Sequence, residues 1–226
     1  MKKLYSVAID GPSGAGKSTV AKAIAKELNI IYVDTGAIYR TIGLSTFRRG
    51  LDPKSKSDVL PVLPELDIRM AYGDDGLQHM LLNGEDVTAE IRRPEISLYA
   101  SDVSAMAEVR EFLMEMQRDM ARKSCVIMDG RDIGTVVLPD ADVKIFLTAS
   151  AQERARRRYL ELKERGTEKT YEDILAEQEI RDYNDMHRAV APLRPADDSV
   201  IVDTTELDFE QSKEKILSLI REKLAL

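Results

Sequence analysis

The stretch Ala8-Ile-Asp-Gly-Pro-Ser-Gly-Ala-Gly-Lys-Ser-Thr-Val-Ala-Lys22 decides the fold of this 226-residue chain. Within it, residues 11–18 match the pattern G-x-x-x-x-G-K-[ST] at every fixed position. A β-rich apolar run at 4–9 precedes the loop, and apolar residues at helical spacing follow it over 17–29. Glycines let the backbone wrap a phosphate with several N–H groups pointing inwards, and the following helix start adds partial positive charge. The stretch therefore predicts a P-loop that binds a nucleoside triphosphate.

The residue types of the loop predict separate roles. Lys17 is expected to reach the β- and γ-phosphates, and the Ser18 hydroxyl is expected to bind Mg²⁺. Asp129 ends a later apolar strand, where a carboxylate holds the same ion through water. An ordinary strand-ending turn aspartate is the alternative for Asp129. The residues predicted to contact ATP are Gly11, Pro12, Ser13, Gly14, Ala15, Gly16, Lys17, Ser18 and Thr19.

Composition excludes several classes of protein. Lys and Arg number 33 against 40 Asp and Glu, which gives a net charge of −7, whereas a nonspecific nucleic-acid binder is more often basic. One cysteine and two histidines are too few for a structural zinc site with about four ligands. No segment approaches the roughly 18 apolar residues of a membrane span. We expect no nucleic-acid partner, no membrane association and a cytoplasmic location, which a chain without disulfides fits.

Strand and helix patterns alternate along most of the chain, which predicts an α/β fold. The expected core is a three-layer αβα P-loop core around a five-stranded parallel sheet. Apolar runs predict its strands at 4–9, 30–33, 125–128, 143–147 and 200–202. Helical spacing predicts its helices at 17–29, 36–49, 151–165, 171–186 and 209–224.

A different pattern interrupts the alternation. Apolar and polar residues alternate over 66–71, and a second run at 77–82 leads into Asn83-Gly84, a strong two-residue hairpin turn. These signals predict a small antiparallel β insert over residues 62–93. Helical spacing resumes at Pro94 and continues towards Arg122. The core is therefore expected to comprise residues 1–61 and 94–226.

A P-loop alone does not identify the acceptor of the phosphate. The chain lacks the N-K-x-D and D-x-x-G patterns of switch GTPases, the L-S-G-G-Q signature of transporter ATPases and the H-R-D loop of protein kinases. A kinase that acts on a hydroxyl usually needs a carboxylate base, but a nucleoside monophosphate offers an oxygen already ionised near pH 7. Joining two such polyanions requires magnesium and fixed arginines.

Arginines occur at the ends of several predicted strands or on the helices that follow them. This edge of an open α/β sheet is where ligands bind. Each arginine also has a structural alternative: a solvated helix face, an i,i+4 pair with an acidic residue, or a surface cation. The arginines concerned are Arg40, Arg131, Arg154, Arg156, Arg157, Arg158, Arg181 and Arg188.

Four motifs together resemble the bacterial cytidylate kinases, a family of nucleoside monophosphate kinases. They are residues 11–18, Asp34-Thr-Gly-Ala-Ile-Tyr-Arg40, Asp129-Gly-Arg-Asp-Ile-Gly-Thr135 and Arg188-Ala-Val-Ala-Pro-Leu193. The similarity spans nearly the full chain, and no single motif would be as specific. It implies transfer of the γ-phosphate of ATP to CMP or dCMP, with Mg²⁺, by a monomer. It also implies that the β insert binds the monophosphate and that a short helical lid lies at about 151–170.

The resemblance also implies roles for individual residues. The catalytic residues would be Lys17, Arg131, Arg154, Arg157 and Arg158, and the metal residues Ser18 and Asp129. The acceptor phosphate would lie on Thr35, Arg40 and Arg131, and the ribose on Arg181 and Asp185. The cytosine pocket would comprise Ser101, Arg110, Asp132 and Arg188, with Tyr39 also in the substrate site.

The chemistry of cytosine agrees with the implied pocket. Cytosine presents an amino donor where uracil presents an acceptor, so a carboxylate such as Asp132 accepts from cytosine and repels uracil. An arginine such as Arg110 can donate to the ring acceptors. The alternatives are another small-molecule P-loop kinase, for uridylate, adenylate or shikimate, and a nucleotide-binding regulatory module without transfer activity.

Overall fold

The structure, a computed structural model, describes residues 4–73, 78–164, 166 and 168–225. The first residue of the strand predicted at 77–82 and the last residue of the helix predicted at 151–165 lie outside these ranges. The chain forms two compact units, one of Met1–Tyr32 with Ala121–Leu226 and the other of Val33–Met120. We call them the first and second unit. The boundaries predicted for the insert (62–93) and the lid (151–170) stay predictions.

Eight α-helices occur in the described residues. They are α1 (Lys17–Leu28), α2 (Thr35–Arg48), α3 (Lys56–Val59), α4 (Pro94–Ser104), α5 (Ala107–Lys123), α6 (Ala151–Glu164), α7 (Tyr171–His187) and α8 (Phe209–Leu224). Short 3-10 turns occur at Leu60–Glu65 and Glu90–Arg92, and a single π-helical turn occurs at Ile133–Val137.

The strands of the described residues form two sheets. They are β1 (Ser6–Asp10), β2 (Ile31–Asp34), β3 (Ile68–Tyr72), β4 (Gln78–Leu82), β5 (Glu85–Asp86), β6 (Val126–Gly130), β7 (Val143–Thr148) and β8 (Val200–Asp203). The larger sheet has the order β2-β6-β1-β7-β8, and β1 pairs in parallel with both β6 and β7. The five-stranded parallel sheet predicted from the sequence is therefore confirmed.

The core of the first unit lies between this sheet and helices α1 and α8. Val20, Ala21 and Ile24 of α1 are buried against apolar side chains of β1, β6 and β7, and Ile216, Leu217 and Ile220 of α8 belong to the same cluster. Both helices place their apolar residues at spacings of three and four, which gives each a single buried face. This packing holds α1, the helix that begins at the P-loop, against the sheet.

The central position of β1 determines where a ligand can bind. Asp10, its last residue, is in register with Gly130 of β6 and with Phe146 of β7. The carboxyl ends of parallel strands on either side of such a central strand form the ligand-binding edge of an α/β sheet. The P-loop follows β1 directly at this edge, and residues 131–135 follow β6.

The second unit contains the small antiparallel sheet. Asn83 and Gly84 connect β4 to β5 with φ angles of 51° and 84°, as a type I′ hairpin turn requires. Helices α2 and α4 pack closely where a Cβ on Gly43 would come 2.9 Å from the Ala100 amide nitrogen. The antiparallel sheet predicted from the alternating pattern is confirmed.

The prediction of one continuous helical segment from Pro94 towards Arg122 is wrong, because α4 ends at Ser104 and α5 begins at Ala107. The amides of Ala105 and Met106 bond to carbonyls three residues back, and the Ser104 hydroxyl donates to the Ser101 carbonyl. Serine side chains compete in this way with the helical ladder. Apolar spacing continues across the break and therefore conceals it.

Among the described residues, no helix combines the length and the apolar character needed to cross a membrane.

Candidate active site

The P-loop leaves β1 through an abrupt backbone turn. Gly11, Gly14 and Gly16 have φ angles of 151°, 75° and 86°, which residues with a Cβ rarely adopt. Gly16 caps α1 without a side chain, so the first amides of the helix stay available to an anion. Lys17 is buried, and its Nζ donates to the Pro12 carbonyl across the loop at 2.7 Å.

Replacing Gly11 by alanine is expected to destabilise the protein by several kcal/mol. A Cβ there would come 1.9 Å from the Leu147 carbonyl oxygen, so either β7 or the loop must shift. The matched control is Gly50→Ala, because Gly50 also has a positive φ (67°) but no atom within 4 Å of the added Cβ. The control should lose only about 1–2 kcal/mol. Equal thermal midpoints for the two variants would contradict the close approach.

Lys17 lies in a strongly charged environment. Burial lowers the pKa of its ammonium well below the ordinary value, and the positive charges of Arg131 and Arg181 lower it further. The carboxylates of Asp129 and Asp10 act in the opposite direction. Positive charge thus accumulates around the loop of a chain that is acidic overall.

Ser18 and Asp129, the two residues predicted to hold Mg²⁺, are in direct contact. The Ser18 hydroxyl donates to Asp129 Oδ2 at 2.8 Å, and the Tyr32 hydroxyl donates to the other carboxylate oxygen at 2.7 Å. Asp129 is buried at the end of β6. Two adjacent oxygen groups fit Mg²⁺, which uses few protein ligands. Accordingly, the described residues contain no cluster of three or more His, Cys, Asp or Glu that would suit another metal.

Arg131 and Asp132 follow β6 and meet residues of α7 and its C-terminal end. Arg131 Nε donates to Asp185 Oδ2 at 2.8 Å. Arg188 places its guanidinium 3.6 Å from Asp132 and 4.0 Å from Asp185. Burial would raise the pKa of Asp185, but Arg131, Arg181 and Arg188 together lower it below the ordinary value. Four residues predicted for the substrate site, Arg131, Asp132, Asp185 and Arg188, therefore form one buried network in the first unit.

Arg188 reaches this network from the chain that follows α7. The helix ends at His187, and Arg188 has an extended backbone. Its Nε donates to the Ala191 carbonyl, and Ala191 has a positive φ of 50°. The guanidinium thus reaches Asp185 from the chain that follows the helix.

The three arginines of α6 that were predicted to be catalytic have different environments. Arg154 is buried, and its guanidinium donates to the Ser13 carbonyl at 2.9 Å and pairs with Asp182 at 2.6 Å. Arg157 donates to Glu153 and to the Thr204 carbonyl. Arg158 pairs with Glu161 and is the most exposed of the three. Their role at the transferring phosphate stays a prediction.

The second unit contains five of the predicted substrate residues, which are Thr35, Tyr39, Arg40, Ser101 and Arg110. Asp34 caps α2 by accepting from the Ala37 amide at 2.9 Å, and Thr35 begins the helix and is buried. The Arg40 guanidinium lies 3.9 Å from the same Asp34 carboxylate, which therefore contacts both the first turn of α2 and Arg40. Gln78 of β4 accepts from the Asp34 amide at 2.8 Å and thereby attaches the small sheet to the start of α2.

Arg110 and Tyr39 lie together within this unit. Arg110 is buried, and its guanidinium lies 5.3 Å from the centre of the Tyr39 ring. The same guanidinium donates to the Ser104 carbonyl at 3.2 Å. Ser101 lies one turn before Ser104 on α4 and is partly exposed. The break between α4 and α5 is what lets Arg110 of α5 reach the end of α4.

Sequence reasoning missed three residues that organise the site. Asp10 accepts from two consecutive amides after Asp132, Tyr32 orients Asp129, and Asp182 pairs with Arg154. A carboxylate at the end of an otherwise apolar strand was the available signal for Asp10. Tyr32 gave no signal, since tyrosine is common in strands.

Known proteins resemble this chain in sequence over nearly its whole length. The sequence profile of the family described as Cytidylate kinase matches residues 7–222. This chain belongs to the cytidylate kinase family. It is 53% identical to the cytidylate kinase of Caldicellulosiruptor saccharolyticus over 97% of this chain and 96% of that protein. The cytidylate kinase of Desulfitobacterium hafniense is 47% identical, over 99% and 96%.

Comparison with a solved kinase structure supports the P-loop kinase fold of this chain. A shikimate kinase from Bacteroides thetaiotaomicron superposes with a TM-score of 0.50 over 99% of this chain and 100% of that one, at 16% identity. At this identity the similarity concerns the fold alone. The family assignment therefore rests on the sequence comparison. The fold assignment rests on both the sequence comparison and the structural comparison.

Proposed function

We infer that this chain transfers the γ-phosphate of ATP to CMP or dCMP and releases ADP with CDP or dCDP. The observation that carries the proposal is the buried network that Arg131 and Asp132, directly after β6, form with Asp185 and Arg188. A P-loop precedes it in the same unit, and the family assignment covers nearly the whole chain. The alternatives of an adenylate, uridylate or shikimate kinase have no comparable support.

The proposed reaction needs no general base. The attacking oxygen belongs to the phosphate of CMP, whose second pKa is about 6, so it is already ionised at neutral pH. The barrier lies in bringing two polyanions together in line, and fixed cations lower it. Residues proposed for this role are Lys17, Arg131, Arg154, Arg157 and Arg158.

The lowered pKa of Lys17 fits this role. Burial and nearby arginines disfavour its charge in the absence of nucleotide. A triphosphate in the loop adds several negative charges beside Nζ and restores the ammonium. Its present bond to the Pro12 carbonyl keeps the side chain across the loop, so little reorganisation precedes binding.

Magnesium is proposed as the metal cofactor, held by Ser18 directly and by Asp129 through water. When bound, such an ion would supply positive charge that stabilises the negative charge of the transferred phosphate. The protein fixes the two oxygen groups in advance, because Tyr32 holds the second oxygen of Asp129.

The acceptor is proposed to be bound by the residues that the resemblance implies. Its phosphate would lie on Thr35, Arg40 and Arg131, and its ribose on Arg181 and Asp185. Cytosine would be bound by Ser101, Arg110, Asp132 and Arg188, with Tyr39 beside Arg110. We further propose a monomer in the cytoplasm without nucleic-acid partners, and closure of the lid at 151–170 to exclude water.

Replacing Asp132 by alanine is expected to reduce the preference for CMP over UMP by about tenfold or more, because one base contact discriminates by about 1–3 kcal/mol. The ratio of kcat/KM for the two acceptors measures the effect. Asp198→Ala is the matched control, since Asp198 is an exposed carboxylate that pairs with Lys144. An unchanged ratio in Asp132→Ala would remove Asp132 from the base pocket.

Calorimetry with CMP in the absence of ATP tests the proposal against a regulatory module. We expect a saturable heat with a stoichiometry of one per chain. A module that only binds ATP would give no CMP signal, and that result would contradict the proposed acceptor site.

A further inference from the structure

Asp10 is a buried carboxylate that the reaction described above does not use. It ends β1, is 4% exposed and lies one residue before Gly11 of the P-loop. Its two oxygens accept from two consecutive amides, Ile133 N to Oδ1 and Gly134 N to Oδ2, both at 2.7 Å. Such short bonds to both oxygens of an ionised group are strong and directional.

The two amides belong to the turn that follows Asp132. The Asp132 carbonyl accepts from Val136 and Val137, which forms the single π-helical turn of Ile133–Val137. Turns of this type leave amides without helical partners at their start, and Asp10 accepts from the first two. Isolated π-helical turns occur frequently at functional sites.

The turn is also closely packed on its other side. A Cβ on Gly134 would lie 3.3 Å from the Lys144 side chain and 3.4 Å from Asp10 Oδ2. A side chain at this position would therefore be in tight contact with Lys144 and in van der Waals contact with Asp10.

We propose that Asp10 is a positioning residue that holds Arg131 and Asp132 in place for the acceptor nucleotide. The carboxylate anchors the backbone directly after these two residues to the strand that leads into the P-loop. It thereby sets the position of the acceptor-binding turn relative to the donor loop. This inference rests on the proposed function, since it assumes that Arg131 and Asp132 bind CMP.

Burial of the Asp10 carboxylate has a free-energy cost that its hydrogen bonds to the turn offset. Burial raises the pKa of Asp10 to about 6, while the amides of Gly134 and Ile133 and the charge of Lys17 lower it and the charge of Asp132 raises it. Burying this carboxylate therefore costs free energy that an apolar residue would not. Two directed bonds to the turn offset that cost and give the turn one defined geometry.

The test compares Asp10→Asn and Asp10→Ala with the unaltered chain. Asparagine keeps one acceptor oxygen and places an amide donor against the second backbone N–H, whereas alanine removes both acceptors. We expect the KM for CMP to rise about tenfold in Asp10→Asn and further in Asp10→Ala. The KM for ATP should change by less than the KM for CMP, because Asp10 accepts its hydrogen bonds from the turn after Asp132 and affects Lys17 of the donor loop through its charge.

Asp142→Asn is the matched control. Asp142 Oδ2 accepts from the Ser6 amide at the opposite end of β1, so it is also a carboxylate bonded to a backbone amide of the first unit. It should leave the KM for CMP unchanged.

The outcomes distinguish the inference from the function on which it rests. A selective rise in the KM for CMP supports the positioning role. Equal changes in both KM values, or a lower thermal midpoint with unchanged KM values, would overturn it. If Asp10→Ala does not fold, Asp10→Asn decides alone. If the unaltered chain binds no CMP by calorimetry, the proposed function itself fails.

Discussion

Replacing Lys17 by alanine is expected to lower kcat by about a hundred- to a thousandfold while the protein stays folded. Catalytic groups that stabilise developing charge in a preorganised site contribute about this much. The side chain is buried, its burial disfavours the charged form, and the hydrogen bond lost with it is the one to the Pro12 carbonyl. Steady-state turnover with ATP and CMP measures the effect, and a thermal midpoint reports the fold.

Lys26→Ala is the matched control, because Lys26 is an exposed lysine in the last turn of the same helix α1. It should retain full turnover. A Lys17→Ala variant with turnover close to that of Lys26→Ala would contradict the assignment of the donor site to the P-loop.

Replacing Arg131 by alanine should lower kcat/KM for CMP by about a thousandfold or more, within the range for arginines that contact a transferring phosphoryl group. The guanidinium is held by Asp185 at 2.8 Å, so it is oriented before the nucleotide arrives. The substitution also leaves Asp185 buried without this partner and should reduce stability by about 3 kcal/mol. Activity is therefore measured well below the lowered thermal midpoint.

Two further variants separate charge from geometry at this position. Arg131→Lys keeps the charge but loses the planar fork, and we expect it to remain at least about tenfold impaired. Arg221→Ala removes an exposed arginine that pairs with Glu27 and should have no effect. Recovery of full activity in Arg131→Lys would show that only net charge matters and that the fixed orientation by Asp185 does not.

The sequence predicted the parts of the fold that depend on local chemistry. The P-loop is readable because its glycines have positive φ angles that few other residues adopt. Asn83-Gly84 is readable because a type I′ turn favours these two residues. The parallel strands follow from short apolar runs between helical segments.

Other features depend on contacts between residues distant in the sequence. Asp10 meets Ile133 and Gly134 across more than a hundred residues, and neither spacing nor residue type predicts that pairing. The break between α4 and α5 is formed by serine hydroxyl and backbone bonds within one continuous apolar pattern, so periodicity could not reveal it.

The residues of the candidate site could be predicted from the sequence, but their hydrogen-bond and ion-pair partners could not. Arg131, Asp132, Asp185 and Arg188 were identified from motifs, yet their mutual pairing depends on how α7 packs in the first unit. The partners of Arg154, which are the Ser13 carbonyl and Asp182, were likewise not predictable from a run of arginines on one helix.

An acceptor panel is the most direct test of the central claim that this chain phosphorylates cytidine monophosphates. Purified protein with ATP and Mg²⁺ is offered CMP, dCMP, UMP, AMP and shikimate, and kcat/KM is measured for each. The account predicts that CMP and dCMP are the best acceptors, with UMP about ten- to a hundredfold lower because one base contact is lost. A kcat/KM for AMP or shikimate equal to or above that for CMP would contradict it.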